Sequence, residues 1–317
     1  MEVGHLEPEQ IPVVCLMGPT ATGKTDAAAQ LFDAFEAEII SVDSSLVYQH
    51  MDIGTAKPDD DFLDKYPHHL VNIRHPNEVY SVAEFYSDCT ELIKTITAQG
   101  KLPILAGGTM FYFNALEHGL SELPQANAEL RAQITAEAQS LGWPSLHQRL
   151  AALDPASARR IDSMDAQRIQ RALEIVLESG KPVVEHNSER KPALENPMIK
   201  LALSFSDRQV LHTRIEQRFN VMLEQGLQAE VESLLEMGIA ADASSMRMIG
   251  YRQMLEFLDE VTSYEEMRSK GIAATRQLAK RQLTWLRNQQ NLIWWVDFGL
   301  KDKNFGQLVD LIRQFIR

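Results

Sequence analysis

A glycine-rich loop near the N-terminus has residue types suited to binding phosphate. Gly18, Gly23, Lys24 and Thr25 match the pattern G-x-x-x-x-G-K-[ST], between an apolar run and a helical pattern. The glycines let backbone N–H groups turn towards a phosphate, the helix start adds positive potential, and Lys24 adds a charge. The Thr25 hydroxyl can ligate Mg²⁺. We therefore predict a phosphate site formed by the whole loop: Gly18, Pro19, Thr20, Ala21, Thr22, Gly23, Lys24 and Thr25.

This loop alone does not identify the phosphate compound. A diphosphate monoester presents the same two phosphate groups as ATP does. The guanine-reading Asn-Lys-x-Asp of GTPases is absent from the sequence. On these residues alone a small-molecule kinase remains open, and so does a non-enzymatic RNA-binding protein whose phosphate loop is vestigial.

Two further candidates for chemistry follow apolar runs. Asp43 ends the run in EIISVDSS, and Thr109 follows two glycines in LAGGTMFYFNAL. Catalytic groups gather at the carboxyl edge of a parallel sheet, so we expect Asp43 to point into the phosphate site. An aspartate that caps the next turn is the alternative for Asp43. A strand-to-helix turn with core aromatics is the alternative for the second stretch.

Strands and helices alternate along much of the chain. Two helical patterns lie at 25–36 and 81–98, and the second opens with Ser81 and Glu84 at capping-box spacing. Short apolar runs predict buried strands at 11–17, 38–42, 69–73, 102–106, 198–204 and 292–296. This order predicts an α/β fold, a parallel sheet with helices on both faces.

The alternation stops between residues 123 and 197. This stretch contains helical patterns such as DAQRIQRALEIVLESG and no convincing strand. We predict a catalytic core formed by residues 1–122 and 198–317, with a helical insertion domain at 123–197.

Composition narrows the class of protein. The 317 residues are 44% hydrophobic and 24% charged, and no apolar run reaches the about 18 residues that span a membrane. The net charge of −13 argues mildly against nucleic acid. Basic residues are nevertheless concentrated between Arg159 and Arg171 and between Arg268 and Arg287. Cys15 and Cys89 have no ligand-like spacing, and so few cysteines predict a reducing cytoplasm.

Six stretches, in chain order, resemble the bacterial tRNA dimethylallyltransferase (tRNA isopentenyltransferase) family: GPTATGKT, SVDSSLVYQHMDIGTAKP, AGGTMFYFNAL, DAQRIQRALEI, MRMIGYRQM and ATRQLAKRQLTWLRNQ. The resemblance covers nearly the whole chain. It implies a P-loop fold that transfers a dimethylallyl group from dimethylallyl diphosphate to the exocyclic amine of an adenine. That adenine lies immediately 3′ of the anticodon in tRNAs that read codons beginning with U. On this interpretation the loop binds the diphosphate of an isoprenoid donor and not ATP.

The resemblance also implies roles for single residues. Asp43 would be the general base on the amine, and Thr109 would contact the adenine. Lys24, with Mg²⁺ on Thr25, would stabilise the leaving diphosphate, which Arg214 or Arg218 would also bind. The implied tRNA contacts are Asp43, Ser44, Ser45, Leu46, Thr109, Arg131, Gln167, Arg168, Ile169, Gln170, Arg171, Arg247, Met248, Ile249, Gly250, Tyr251, Arg252, Lys280, Arg281, Gln282, Leu283, Thr284, Trp285, Leu286 and Arg287.

The expected partners are tRNA, through its anticodon stem-loop, and dimethylallyl diphosphate. No Cys/His cluster resembles the zinc finger of eukaryotic relatives, so Mg²⁺ is the only metal expected. We expect a monomer without a membrane anchor, because the tRNA supplies the large partner surface.

Overall fold

The computed structural model describes residues 6–121, 123–124, 127–187, 194–297 and 304–316, and a six-stranded sheet organises them. The strands lie in the order β3-β2-β4-β1-β5-β6, and each neighbouring pair is parallel. They are β1 (Val13–Met17), β2 (Ala37–Val42), β3 (His68–His69), β4 (Leu102–Gly107), β5 (Met198–Ser204) and β6 (Leu292–Val296). The predicted α/β fold with a parallel sheet is therefore confirmed.

Helices connect these strands and cover the sheet. The first group is α1 (Lys24–Ala34), α2 (Asp60–Lys65), α3 (Val82–Ala98), α4 (Met110–His118), α5 (Ala128–Leu141), α6 (Trp143–Leu153), α7 (Pro155–Ala158) and α8 (Ala166–Ser179). The second group is α9 (Arg208–Glu224), α10 (Leu227–Glu236), α11 (Tyr251–Leu258), α12 (Tyr264–Arg287) and α13 (Asn304–Ile316). Short 3₁₀ turns lie at Pro8–Gln10, Val183–Asn187 and Ser245–Arg247.

The strands are almost wholly apolar because both faces of the sheet are buried. Val13, Cys15 and Met17 of β1 belong to one core, which also contains apolar residues of α3, α4 and α9 to α12. Val14 and Leu16 belong to the other core, with residues of α1 and α13. Alternate side chains of one strand thus enter opposite cores, as the pleat requires.

Two details of the predicted elements can be compared with the structure. The capping box at the start of α3 is confirmed, since Ser81 Oγ accepts from the Glu84 N–H at 3.2 Å and the Ser81 N–H donates to Glu84 Oε2 at 2.8 Å. The predicted strand 69–73 is wrong in its extent, because β3 ends at His69. Leu70 (φ 64°) and Asn72 (φ 57°) adopt left-handed backbone conformations, which break the extended chain.

The chain divides into two compact units, Met1–Glu117 with Ala193–Arg317 and His118–Pro192. The second unit contains helices α5 to α8 around a core of its own, with Leu146, Leu150 and Leu173 fully buried. Asp154, also fully buried, caps α7 through the Ser157 N–H and accepts from the Val183 N–H at 2.9 Å. The boundaries of this second unit, 118 and 192, lie about five residues before those of the insertion inferred from sequence, 123 and 197.

The sheet order fixes where functional groups meet. Strands β2, β4 and β1 are neighbours and run parallel, so their carboxyl ends lie at one edge. The phosphate loop follows β1, Asp43 follows β2 and Gly108 follows β4. None of the helices in the described ranges is long and apolar enough to cross a membrane.

Candidate active site

The phosphate loop, residues 18–25, joins β1 to α1 in a conformation that depends on its glycines. A Cβ on Gly18 would lie 2.7 Å from the Leu203 carbonyl oxygen. Gly23, with φ 85°, is the N-cap of α1 and supplies no side-chain cap. The first amides of α1 can therefore donate to an anion, and the helix N-terminus favours negative charge there.

Three cationic side chains line a cleft of about 540 Å³ beside this loop: Lys24, Arg214 and Arg218. Lys24 Nζ and Arg214 Nε donate to backbone carbonyl groups of the loop at 2.7 and 2.9 Å. Arg218 donates to the Thr55 carbonyl oxygen at 3.3 Å. Within the described ranges, none of the three forms an ion pair with a carboxylate. Such a concentration of unneutralised positive charge is suited to a phosphate-bearing ligand.

The cleft perturbs the titration of two of these cations. Burial lowers the pKa of the Lys24 amine to about 8, and the nearby Arg218 charge also lowers it, whereas Asp43 raises it. Burial likewise lowers the pKa of the Arg218 guanidinium, again against the attraction of Asp43. Asp43 is thus close enough to act on both, and the site groups one carboxylate with the phosphate-facing cations.

Asp43 is held by the turn that follows it. Its Oδ1 accepts from the Ser45 N–H at 2.9 Å and from Ser45 Oγ at 2.5 Å. Its other oxygen, Oδ2, accepts no hydrogen bond from the part of the chain that the structure describes. One oxygen therefore fixes the carboxylate, and the second is free to accept a proton from a ligand.

Thr109 joins the end of β4 to the Asp43 turn. Its Oγ1 accepts from the Ser44 N–H at 3.0 Å and donates to Ser44 Oγ at 3.3 Å. The ends of β4 and β2 approach so closely that a Cβ on Gly107 would lie 1.9 Å from the Val42 carbonyl oxygen. This close approach places the predicted base and the predicted adenine-contacting residue side by side.

A divalent metal ion fits this cleft only as a companion of a phosphate ligand. Among the residues that the structure describes, no group of three or more His, Cys, Asp or Glu could hold a metal. Thr25 lines the cleft, together with Asp26 and Asp59. Mg²⁺ keeps several waters and uses one or two protein ligands plus substrate phosphates, so this sparse donor set suits it.

Comparison with known proteins places this chain in a family. Residues 46–289 match the family model described as IPP transferase, which is more than half of the chain. The chain belongs to the IPP transferase family. A relative from Methylobacillus flagellatus, named tRNA dimethylallyltransferase, is 50% identical over 310 residues, which is 97% of this chain and 98% of the relative.

Solved structures of the IPP transferase family agree with the fold. The full-length tRNA isopentenylpyrophosphate transferase from Bacillus halodurans has a TM-score of 0.70, with 36% identity over 96% of each chain. A eukaryotic dimethylallyltransferase, captured in crystallographic snapshots acting on tRNA, has a TM-score of 0.79. That likeness covers 96% of this chain and 80% of the other, with 27% identity.

The predicted RNA-contacting stretch of α12, residues 280–287, has an exposed and a buried face. Its exposed residues are Lys280, Arg281, Thr284 and Arg287, and Leu283 and Trp285 are partly buried. Leu286 is fully buried, and the Gln282 side chain lies inside the protein. An RNA contact by this stretch remains a prediction, and its exposed cations are the side chains that could make it.

The stretch 247–252 and the Asp43 turn also combine exposed and buried side chains. Arg247, Arg252 and Ser44 are exposed, and Met248, Ile249, Ser45 and Leu46 are partly buried. Gly250 is buried, and Tyr251 is fully buried with its hydroxyl donating to Glu230 Oε1 at 2.7 Å. The Tyr251 side chain is therefore part of the interior. RNA contact by this stretch stays a prediction, and its exposed arginines, Arg247 and Arg252, are the side chains that could make it.

Three of the six predicted contacts of the helical unit are hydrogen bonded to other side chains of that unit. Arg131 donates twice to Glu174, at 2.7 and 3.0 Å, and Arg171 donates to the same carboxylate at 3.3 Å. Gln170 donates to Thr135 at 2.9 Å, and Ile169 is fully buried. Gln167 and Arg168 are exposed.

Sequence reasoning missed one residue that shapes the site. Glu230 of α10 accepts hydrogen bonds from three consecutive backbone N–H groups, residues 52 to 54, at 2.7 to 2.9 Å. The same loop presents the Thr55 carbonyl that orients Arg218. No local pattern marks Glu230, because its partners lie about 176 residues away in the sequence.

Proposed function

We propose that this protein transfers a dimethylallyl group from dimethylallyl diphosphate to tRNA. The acceptor would be the exocyclic amine of the adenine immediately 3′ of the anticodon, in tRNAs reading codons that begin with U. The relatives named above support prenyl transfer to tRNA. The observation that carries the proposal is the proximity of the Asp43 carboxylate, whose Oδ1 alone accepts hydrogen bonds from the described residues, to the Lys24 and Arg218 cations of the phosphate cleft.

The donor's diphosphate would occupy the phosphate loop. The backbone amides at the start of α1 would donate to its oxygens, and Lys24 and Arg218 would stabilise the charge that develops as it leaves. Of the two arginines predicted from sequence, Arg218 is the better placed, because Asp43 acts on its pKa and Thr55 orients it. Arg214, which is exposed, would bind at the outer edge of the same cleft.

The chemistry requires a proton acceptor because an adenine amine is a poor nucleophile. In the proposed step the amine nitrogen forms a bond to the allylic carbon, and the carbon–oxygen bond to diphosphate breaks. The electron pair of that bond leaves on the diphosphate. The amine proton goes to Asp43 Oδ2, a general-base contribution of about 10²–10⁴-fold. Thr109 would position the adenine beside this oxygen.

Mg²⁺ would be held by Thr25 Oγ1 and by the diphosphate oxygens. It would supply further positive charge next to the leaving group. The cleft-lining Asp26 and Asp59 would reach it through water.

We further propose that RNA binds through the exposed cations of α12, of 247–252 and of the helical unit. These are Lys280, Arg281, Arg287, Arg247, Arg252 and Arg168. Single-stranded loops offer phosphates and splayed bases to such groups, and the target base must leave its stack to reach Asp43.

We propose that the protein is cytoplasmic and monomeric. Light scattering of the purified protein would test its oligomeric state.

Transfer of radiolabelled dimethylallyl groups into an unmodified anticodon stem-loop, with Mg²⁺, tests the proposal. The wild type should label the RNA, and Asp43→Asn should lose about 10²–10⁴-fold of the rate. Asp43→Asn should still bind inorganic diphosphate in calorimetry, which controls for folding and for the phosphate site. A stem-loop with guanine in place of the target adenine should accept no label.

Absence of label in the wild type, with hydrolysis of ATP instead, would replace the proposal with the kinase interpretation. Full transfer by Asp43→Asn would keep the reaction but remove Asp43 as its base.

A further inference from the structure

One residue of α12 is hydrogen bonded to both loops that form the proposed site. Gln282 is only 8% exposed, although it lies next to the exposed Arg281. Its Oε1 accepts from the Thr20 N–H of the phosphate loop at 3.2 Å. Its Nε2 donates to the Gly108 carbonyl oxygen at 2.7 Å. Its amide therefore bridges the donor side and the acceptor side of the site.

The packing around this amide is tight and specific. A Cβ on Gly108 would lie 2.6 Å from Gln282 Nε2, so only glycine at 108 leaves room for the amide in this position. The same Cβ would lie 3.4 Å from the Gly18 carbonyl oxygen, which shows how closely the two loops approach. The side-chain amide is a donor on one side and an acceptor on the other, and it satisfies one loop with each.

Each of the two hydrogen bonds of Gln282 ends in a loop that also carries a residue of the proposed reaction. Thr20 lies in the loop whose Lys24 and N-terminal amides face the cleft. Gly108 precedes Thr109, whose hydroxyl fixes the Ser44 backbone beside Asp43. We propose that Gln282 is a positioning residue that holds the phosphate loop and the Gly108–Thr109 turn in register for transfer. This inference rests on the proposed function, and it assigns Gln282 to the interior of the site instead of to RNA contact.

Two variants break the bridge in different elements. Gln282→Met keeps the length of the side chain but removes both hydrogen bonds. Gly108→Ala leaves α12 unchanged and displaces the amide by steric contact. Gln277→Met is the matched control, because Gln277 is an exposed glutamine on the same helix. Arg281→Ala serves as the contrasting variant, since its exposed side chain is placed to meet RNA.

Calorimetry with inorganic diphosphate and Mg²⁺, without RNA, is the first measurement. Loss of one or two net hydrogen bonds predicts a Kd between about threefold and tenfold weaker for Gln282→Met and for Gly108→Ala. Gln277→Met and Arg281→Ala should bind diphosphate as the wild type does. Binding of an anticodon stem-loop without donor should stay within about twofold of wild type in Gln282→Met and weaken in Arg281→Ala. The transfer rate at saturating substrates should also fall in both bridge variants, because Thr109 loses its support.

The opposite pattern would overturn the inference. If Gln282→Met weakens RNA binding and leaves the diphosphate Kd unchanged, Gln282 is an RNA contact and not a bridge. Equal diphosphate binding by wild type, Gln282→Met and Gly108→Ala would overturn the inference alone. No diphosphate binding by the wild type would overturn the proposed function itself, so the two failures are distinguishable.

Discussion

The phosphate cleft and the helical unit use arginine and lysine in opposite ways. In the cleft, Lys24 and Arg218 donate to backbone carbonyl groups and form no ion pair with a carboxylate of the described residues, and burial lowers the pKa of both. In the helical unit, Arg131 and Arg171 converge on one carboxylate, Glu174, which is 2% exposed. Cations that form no ion pair mark a place for a ligand's negative charge, whereas cations that surround a buried carboxylate stabilise a fold. Composition and spacing alone do not separate these two uses.

Lys24→Met is expected to have the largest effect among the variants that test this contrast. Removing one cation that stabilises the leaving group should lower the rate of transfer by about 10²–10³-fold. The midpoint of thermal unfolding should not fall, because the variant no longer buries a charge that lacks a carboxylate partner. Rates come from the labelled-transfer assay and stability from circular dichroism. Lys94→Met, on the exposed side of α3, is the control and should change neither quantity. A large loss of stability in Lys24→Met would show that the cation supports the fold.

Glu174→Ala tests the other side of the comparison. It removes the carboxylate shared by two arginines, and we expect the free energy of unfolding of the helical unit to fall by about 1–3 kcal/mol. The arginines are 49% and 37% exposed and can be solvated, which keeps the cost below that of a fully buried pair. Limited proteolysis should then cut within residues 118–192 first, with diphosphate binding unchanged. Glu178→Ala, on the same helix, is the control for an exposed carboxylate, which accepts a hydrogen bond from the Asn127 side-chain amide at 3.2 Å. Equal protease resistance in the two variants would contradict the structural role of Glu174.

The sequence predicted the sheet, the phosphate loop and Asp43 because each of these is specified locally. An apolar run, a glycine pattern and a strand-end acid need no distant partner to be recognised. Glu230 escaped this reasoning, and Gln282 was predicted only as an RNA contact, because their hydrogen bonds reach residues 174 to 262 positions away. Sequence patterns also did not show that the predicted RNA-contacting stretches are partly buried, for a similar reason. Which face of a short helix turns inward is decided by packing against other elements, as for Tyr251 against Gly54.

The titration of Lys24 gives a smaller, pH-dependent test. Its pKa is about 8 in the ligand-free protein and 10.5 for an ordinary lysine, so the amine loses its charge as pH rises through 8. Affinity for inorganic diphosphate should fall above pH 8 by at most about tenfold per pH unit. The unfolded chain holds this proton up to pH 10.5, so stability of the ligand-free protein should rise between pH 8 and 10.5 from this group. Calorimetry from pH 7 to 9.5 measures the first effect. Subtracting the profile of Lys24→Met removes the titration of diphosphate itself, and identical profiles would refute the assignment to Lys24.

The smallest effect is expected at Arg168, the more exposed of the two arginines of α8 that were predicted as RNA contacts. Its side chain is 73% exposed, and its ion pair with Asp165 is long, at 3.4 Å, and lies within one helical turn. Among the arginines of α8 that were predicted as RNA contacts, Arg168 is therefore the one available to an RNA phosphate. Arg168→Ala should weaken stem-loop binding a few-fold and reduce the slope of log affinity against log salt by about 0.7–0.9. Arg171→Ala should instead lower stability, because Arg171 contacts Glu174 and the Pro124 carbonyl. Filter binding at several salt concentrations and thermal unfolding of both variants separate the two roles. An unchanged salt slope in Arg168→Ala would mean that Arg168 does not contact the RNA backbone.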